Sequence, residues 1–225
     1  MSNTWIEENG IKYYKRKSVN EYIIMGTIDN FSKEIIEIPE FVDGIPVTQI
    51  ADGAFRNNQH VKELNLPGSI NIIGDVAFTN CSNLKIVGIY GRNKTINLHN
   101  GVFSNCKSLE TVMSYQNINL LGNEVFSNCT SLKWLLVKFI NEIPRKTFEN
   151  CISLDSIDFY KDVVVDDSAF DGCLNLTKME IRAVVKFSEQ FTKTFLKDIK
   201  ILCFDNSQFV DLAYEGYNIN IIKMF

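Results

Sequence analysis

The chain of 225 residues is 45% hydrophobic and 22% charged, which supplies one sizeable core or one continuous stack of repeats and excludes a disordered tail. Its formal net charge is −4, and its lysines and arginines are scattered, which argues against binding to nucleic acid through phosphate neutralisation. Charged residues interrupt the N-terminal apolar stretches before a signal peptide or a membrane-spanning helix could form. As written, the sequence therefore predicts a cytoplasmic protein; a cell-surface or secreted location is expected only if a leader was removed.

Residues 1–49 have the pattern of an N-terminal β cap. Two strand-like apolar stretches, IKYY from Ile11 and EYIIMGTI from Glu21, predict a β-hairpin. The segment IEIP at residues 36–39 then parallels LNLP at residues 64–67. We expect this cap to lead directly into a series of repeats.

Residues 50–182 contain six copies of one repeat, each organised around a phenylalanine. The successive separations of these phenylalanines are 23, 25, 23, 22 and 22 residues. A cysteine follows three residues later in five of the six copies, and a leucine follows six residues later in the same five. The phenylalanines are Phe55, Phe78, Phe103, Phe126, Phe148 and Phe170, and the cysteines are Cys81, Cys106, Cys129, Cys151 and Cys173.

Each repeat has two apolar segments joined by a turn. After the leucine, apolar residues alternate with polar ones, as in Leu154-Asp-Ser-Ile157-Asp-Phe159, which predicts a short strand with one buried face. A second apolar cluster precedes each phenylalanine and supplies the opposite wall of a flattened coil. One unit cannot bury both sets alone, so neighbouring units are expected to stack. Two residues after each phenylalanine stands an asparagine or, once, Gly172, types that tolerate a left-handed turn and can form an amide ladder.

The motif F-x-N-C-x-S/N-L followed by L-x-x-I-x-L closely resembles the BspA-like leucine-rich repeats of bacterial and protist surface proteins. The resemblance covers nearly the whole chain. It implies an α/β-type repeat solenoid, mostly β, that winds as a right-handed coil with an N-terminal β-hairpin cap and a C-terminal helix-strand cap. Three positions depart from the pattern: Asn58 replaces the cysteine, Ser114 stands where an inward aliphatic residue is expected, and Gly172 replaces the asparagine.

Residues 183–225 are predicted to form a degenerate repeat and the C-terminal cap. Here the phenylalanine-cysteine signature fades, and the pattern indicates a strand, a short helix and a last strand. Ser207 is the expected N-cap of that helix and Gly216 its C-terminal stop. Atypical ends are expected in a solenoid because they hide the open stack from water.

The six cysteines do not indicate a metal or cofactor site. No C-x-x-C pair occurs and only two histidines are present, so we predict no metal, and no cofactor motif is found. Equivalent cysteines in adjacent coils would point in parallel rather than toward each other, which favours small buried thiols over disulfides. Cys203 lies outside this series and is the cysteine expected to be most exposed.

Catalysis finds no support in the sequence. It contains no G-x-S-x-G elbow, Gly-rich phosphate loop or H-E-x-x-H motif. Asp166 with Asp167, or Asp155 with Asp158, could be imagined as catalytic carboxylate pairs. Their repeat positions favour solvated turns and strand faces, so the protein is predicted not to be an enzyme.

The outward strand residues, eight, ten and twelve positions after each phenylalanine, form the predicted recognition face. In the middle coils this face combines apolar and aromatic residues with a charged rim, a composition typical of protein interfaces. The alternative is that these side chains are covered by the chain's own tail, or are aromatic only because strands favour such residues. The candidate partner-binding residues are Tyr90, Met113, Tyr115, Trp134, Leu136, Lys138, Asp158, Tyr160, Glu180 and Arg182.

Three classes of function stay open. The first is a non-catalytic protein-protein interaction module, by resemblance a cell-surface adhesin. The second is an intracellular interaction protein that inhibits or protects another protein, and the third is a carbohydrate-binding protein that stacks sugars on Tyr115 or Trp134. The partner is therefore expected to be another protein, or less readily a glycan, without nucleic acid or membrane insertion.

Overall fold

The computed structural model describes residues 4–29, 31–91, 94–182, 185–187, 200–203 and 220–223. Within those ranges the regular structure consists of 18 β-strands, and no helix is present. The cap and first coils contain β1 (Trp5–Glu8), β2 (Ile11–Arg16), β3 (Glu21–Thr27), β4 (Ile35–Glu37), β5 (Phe41–Val42), β6 (Ile45–Ile50), β7 (Glu63–Leu66), β8 (Ile72–Ile73), β9 (Ile86–Ile89) and β10 (Thr95–Leu98). The later coils contain β11 (Thr111–Leu120), β12 (Trp134–Ile143), β13 (Ser156–Phe159), β14 (Val163–Val165), β15 (Lys178–Ile181), β16 (Val185–Phe187), β17 (Lys200–Cys203) and β18 (Asn220–Lys223).

The strands form two walls that enclose the core, so the mostly β solenoid expected from the repeats is confirmed. The first wall contains, in order, β4, β7, β9 and the first halves of β11 and β12, followed by a separate sheet of β13, β15, β17 and β18. The second wall contains β3, β6, β8, β10, the second halves of β11 and β12, β14 and β16. Neighbouring coils pair in parallel in both walls, because each coil repeats the direction of the one before it.

The N-terminal hairpin is present as predicted. β2 and β3 pair antiparallel, with Tyr14 opposite Ile23, and β1 adds a further antiparallel strand to β2 that the sequence analysis did not identify. Tyr13 and Ile24 are buried and close this end of the core. The parallel between residues 36–39 and 64–67 also holds, because Ile36 pairs with Leu64 in the first wall.

At the C-terminal end, the structure describes two of the expected elements. β17 extends the sheet of β15, and β18 pairs in parallel with β17. The predicted helix between Ser207 and Gly216 lies outside the described residues, as does the side chain of Cys203. The helix-strand cap therefore stays a prediction as far as its helix is concerned.

The six repeat phenylalanines form one continuous stack along the core. Successive ring centroids lie 4.9–5.5 Å apart with interplanar angles of 3–15°. This spacing is close to the distance between neighbouring strands, so each ring contacts the next without a gap. The stack explains the near-constant period of the repeat, since a displaced ring would leave a cavity.

The five repeat cysteines are free, buried thiols, as the sequence predicts. Each thiol donates a hydrogen bond to the carbonyl oxygen of the phenylalanine one coil earlier, with Sγ–O distances of 3.0–3.2 Å. The same carbonyl also accepts the backbone N–H of the residue three positions later in its own coil, which is Asn58 for Phe55 and a cysteine for the other four, as Phe78 accepts from Cys81. Asn58 replaces the cysteine in the first repeat, where its Oδ1 instead accepts the N–H groups of His60 and Val61.

The turn after each phenylalanine is left-handed, as the residue types predict. The asparagines at this position have φ angles of 58–63°, and Gly172 has a φ of 75°. A Cβ at Gly172 would lie 2.3 Å from Oδ1 of Asn150, so a larger residue there would require the Asn150 side chain to move. The expected amide ladder is partial: Asn80 donates to Asn57 and Asn150 to Asn128, whereas Asn105 donates to a neighbouring serine.

We predict that Asn105→Ala lowers the free energy of unfolding by about 1–2 kcal/mol, because a Cβ-bearing residue without a local polar bond pays the full cost of the left-handed turn. Asn105→Gly is the matched control and is expected to cost less, since glycine adopts positive φ freely. Urea unfolding followed by circular dichroism measures both values. Equal losses of unfolding free energy in the two variants would contradict this explanation, because they would show that asparagine is not selected for its tolerance of the left-handed backbone.

We also predict that the repeat thiols resist alkylation in the folded protein. Burial raises the pKa of Cys129 to about 12 and likewise raises the pKa of Cys173 to about 12. Because the thiolate is the reactive form, neither group should react with iodoacetamide near pH 8. Cys203→Ser removes the remaining cysteine, so mass spectrometry of this variant should show no label until a denaturant is added. Rapid labelling of repeat cysteines in native buffer would contradict this packing.

Candidate functional site

Parallel pairing brings the outward positions of the first wall into rows. One row runs through Glu63, Ile86, Thr111 and Trp134, which are direct register partners. A second row runs through Asn65, Gly88, Met113 and Leu136. The alternation counted from each phenylalanine therefore gives the correct outward face at these positions.

Five of the candidate residues form what we call the strand-face patch, on β11, β12 and the turn after β9. Their side chains are all exposed, and three of them exceed half exposure, at 64% for Tyr115, 61% for Trp134 and 62% for Leu136. The rings of Tyr90 and Tyr115 lie 6.4 Å apart. The strand-face patch consists of Tyr90, Met113, Tyr115, Trp134 and Leu136.

Gly88 determines where the ring of Tyr90 lies. A Cβ at Gly88 would meet both Cε2 of Tyr90 at 3.2 Å and Oδ1 of Asn65 at 3.0 Å. The absence of that atom lets the Tyr90 ring fold back along the wall, where its hydroxyl donates to Oδ1 of Asn65 at 3.2 Å. Tyr90 is thereby held at the edge of the strand-face patch nearest the N-terminal coils.

Tyr115 projects from an irregular part of β11. The register of β11 against β12 shifts between Met113 and Asn117. In this segment the Ser114 hydroxyl accepts the N–H of Gln116 and donates to its carbonyl, and Gln116 Nε2 donates to the carbonyl of Tyr90 at 2.8 Å. Ser114, which replaces an inward aliphatic residue, therefore stabilises the irregular backbone from which Tyr115 extends.

The register shift changes one neighbour expected from the repeat count. Lys138 and Tyr115 stand at equivalent positions after their phenylalanines, but Lys138 pairs with Asn117 instead. Lys138 is exposed and belongs to the part of β12 that enters the second wall. The expected alignment of Lys138 with Tyr115 is wrong because β11 contains extra residues at this point.

The remaining candidates form a charged cluster on β13, β15 and the residues just after them. Arg182 Nη2 pairs with Oε2 of Glu180 at 2.9 Å, and its guanidinium lies 5.6 Å from the centroid of the Tyr160 ring. The Tyr160 hydroxyl donates to Oδ2 of Asp158 at 3.2 Å. Lys178, which is not among the partner-binding residues expected from the sequence, also forms an ion pair with Glu180. We call Asp158, Tyr160, Lys178, Glu180 and Arg182 the charged cluster.

The pKa shifts in the charged cluster reflect its internal pairing. Burial, followed by the nearby charge of Glu180, raises the pKa of Asp158. The hydrogen bond from Lys178 lowers the pKa of Glu180. Burial raises the pKa of Tyr160. The two acids and two bases therefore neutralise one another locally, which leaves the cluster polar but without a large net charge.

A break in the first wall separates the strand-face patch from the charged cluster. β12 belongs to the 14-stranded sheet, whereas β13 begins the four-stranded sheet with β15, β17 and β18, and no ladder joins β12 to β13. Trp134 and Leu136 lie on one side of this break, and Asp158 and Tyr160 lie on the other. The candidate residues thus form two neighbouring groups rather than one hydrogen-bonded surface.

Other kinds of site find no support in the described part of the chain. There, no group of three or more His, Cys, Asp or Glu side chains could hold a metal ion. The same residues include no helix of the length and apolarity required to cross a membrane.

Comparison with solved structures gives similar folds from bacteria. A leucine-rich repeat protein of T. pallidum has 23% sequence identity and a TM-score of 0.61, with 81% of this chain and 86% of that chain covered. A leucine-rich repeat protein of Eubacterium ventriosum has 22% identity and a TM-score of 0.57, with 76% of this chain and 50% of that chain covered. No curated protein matches the chain in sequence.

A family model also matches the chain directly. It describes the BspA type leucine rich repeat region and aligns with residues 27–154 and 121–224. The matched ranges include the repeat phenylalanines, the thiols that bond to their carbonyls and both walls of the coil. The chain therefore belongs to the BspA-type leucine-rich repeat family.

Proposed function

We propose that the protein is a non-catalytic binding module and that the strand-face patch docks another protein, with Trp134 as its central anchor. Leucine-rich repeat proteins of this family typically mediate protein interactions or surface adhesion. The observation that carries the proposal is that Trp134, Leu136 and Tyr115, each more than half exposed, lie on the neighbouring strands β11 and β12. Contiguous exposed apolar side chains of this size mark interaction surfaces in soluble proteins.

The wall beneath the patch supports this role energetically. Val112 and Leu132 are fully buried beneath the patch strands, so the backbone that presents Trp134 is held by packed core. A surface that is already ordered loses little conformational entropy when a partner binds. Trp and Tyr also contribute large contact areas through only two side-chain torsions, which is why they dominate binding hot spots.

The charged cluster is proposed as the polar rim of the same interface. Its ion pairs hold Arg182, Glu180 and Lys178 in a defined arrangement before any partner arrives. Rim charges mainly guide encounter and select partners, whereas central aromatic anchors supply most of the affinity. Lys138, two residues after Leu136 in β12, adds an exposed positive charge where that strand enters the second wall.

The biological setting is proposed to be cell-surface adhesion, with an intracellular inhibitory or protective interaction as the second candidate. The buried repeat thiols need neither a reducing nor an oxidising compartment to persist, since they are shielded from solvent. Antibody labelling of intact cells, compared with permeabilised cells, distinguishes the two settings. Label on intact cells supports adhesion, and label only after permeabilisation supports the intracellular role.

We predict that Trp134→Ala weakens binding of the natural partner by at least about tenfold, which corresponds to about 1.4 kcal/mol. The fold should be unaffected because Trp134 is 61% exposed. The partner is captured from lysate and culture medium of the source organism and identified by mass spectrometry, and its affinity is then measured by titration calorimetry.

Trp5→Ala is the matched control, since Trp5 is an equally large, 55% exposed indole on the N-terminal cap. Its loss should leave the affinity unchanged. Equal affinity of Trp134→Ala and wild type would remove the strand-face patch from partner binding. If only glycans are retained, and Tyr115→Ala or Trp134→Ala abolishes that retention, the protein binds carbohydrate instead.

A further inference from the structure

The first wall begins with a strand that has one open edge. β4 pairs with β7 and with no other strand in the described part of the chain. The Ile38 N–H donates to the Asn65 carbonyl at 3.0 Å, and the Glu34 carbonyl accepts the Glu63 N–H at 3.0 Å. The backbone N–H and carbonyl groups of Glu34, Ile36 and Ile38 therefore point toward β7.

Backbone groups alternate in direction along a strand, so those of Ile35 and Glu37 point away from β7. Two N–H groups and two carbonyls consequently face the open edge, because β4 has no described partner there. Unpaired edge groups of this kind are a template for a further strand. An added segment that pairs with them would lengthen the first wall by one strand.

A groove of about 450 Å³ runs beside this edge. Ile35 and Ile36 line it on the β4 side, and Asn9, Ile11 and Phe31 line it on the cap side. The cap residues stand close enough to β4 to bound a single groove. A segment that paired with β4 would lie in this groove, between β4 and the cap residues.

Charges along the edge specify what the segment must carry. Lys33, Ile35 and Glu37 share the outward side of this part of the chain and are all exposed, Ile35 by 50%. In the described residues, the carboxylate of Glu37 and the ammonium of Lys33 form no ion pair with another side chain. Opposite charges on directly facing strand residues stabilise pairing, and like charges oppose it.

We propose that the open edge of β4 binds an extended segment of a partner protein by β-strand addition. The segment carries an acidic, an apolar and a basic side chain at alternate positions, facing Lys33, Ile35 and Glu37 respectively. Backbone hydrogen bonds supply the affinity, and the three side chains supply the selectivity. This site is separate from the strand-face patch and does not depend on the function proposed for that patch.

The test uses blocked synthetic peptides and the full-length protein. The probes are TETVTKT and TKTVTET, which have the same composition and match the edge in parallel and antiparallel orientation, and the control is TETVTET. We expect one of the two probes to bind at least about tenfold more tightly than the control, measured by NMR titration. The largest shifts should fall on the amides of Ile35 and Glu37.

Charge reversal tests the side-chain pairing. Glu37→Lys should invert the preference, so that TETVTET binds more tightly than either probe, because two cations then face the peptide. Glu37 is exposed, and an unchanged melting temperature confirms that the variant is folded. Trp134→Ala should bind the preferred probe like wild type, which separates failure at this edge from failure at the strand-face patch.

Backbone pairing is tested with N-methylated forms of the preferred probe. Methylation of the peptide N–H groups that point toward β4 removes the donors of the proposed hydrogen bonds and should abolish binding. Methylation of the intervening N–H groups, which point away from β4, should have little effect. Equal tolerance of both forms would overturn strand addition.

Three further results would also overturn the proposal. The first is no binding of either probe at about 1 mM, and the second is equal binding of the control peptide. The third is a dimer, detected by light scattering, that Glu37→Lys dissociates, because a second copy of the chain would then occupy the edge.

Discussion

The carbonyl of each repeat phenylalanine is the interaction on which the solenoid depends. In Phe78, Phe103, Phe126 and Phe148 this carbonyl accepts two bonds at once, from the N–H of the cysteine in its own coil and from the thiol of the cysteine in the next coil. In Phe55 the N–H of Asn58 takes the place of the first. The first bond closes the turn, and the second ties neighbouring coils together inside the core. A buried carbonyl with both acceptor positions used leaves no desolvation penalty, so a narrow apolar interior can contain a tight turn. A purely apolar residue at the cysteine position would lack this second donor.

This interior arrangement determines what the outer surface can do. Because the coils are held in fixed register, the outward residues of successive strands stand about 4.8 Å apart in straight rows. Side chains separated by some 23 residues in sequence, such as Thr111 and Trp134, become direct neighbours. A few substitutions at equivalent positions can therefore assemble a continuous surface without any change in the backbone, which explains how one scaffold serves unrelated partners.

Sequence reasoning recovered most of the fold because the repeat is local and periodic. The phenylalanine, cysteine and asparagine positions each had one physical role, and the structure confirms buried rings, buried thiols and left-handed turns there.

The site was less predictable, since counting from phenylalanine assumes equal strand lengths. The extra residues of β11 near Tyr115 altered the pairing of Lys138, and no periodic signal marked the break after β12. β1 was missed because only a short stretch, Trp5–Glu8, pairs with the hairpin.

The break between β12 and β13 has a mechanical consequence. From β4 to β16, the other consecutive coils of the described stack are joined by strand ladders in both walls, but at this junction only the second wall continues as a ladder, from β12 to β14. Parallel strands pulled apart perpendicular to their length separate one hydrogen bond after another, so a junction with half the ladders resists less tension. Among the coils from β4 to β16, tension along the solenoid is therefore expected to open this junction first, beside Trp134 and Leu136. Stretching would thus alter the strand-face patch before it separated the other coils in this range.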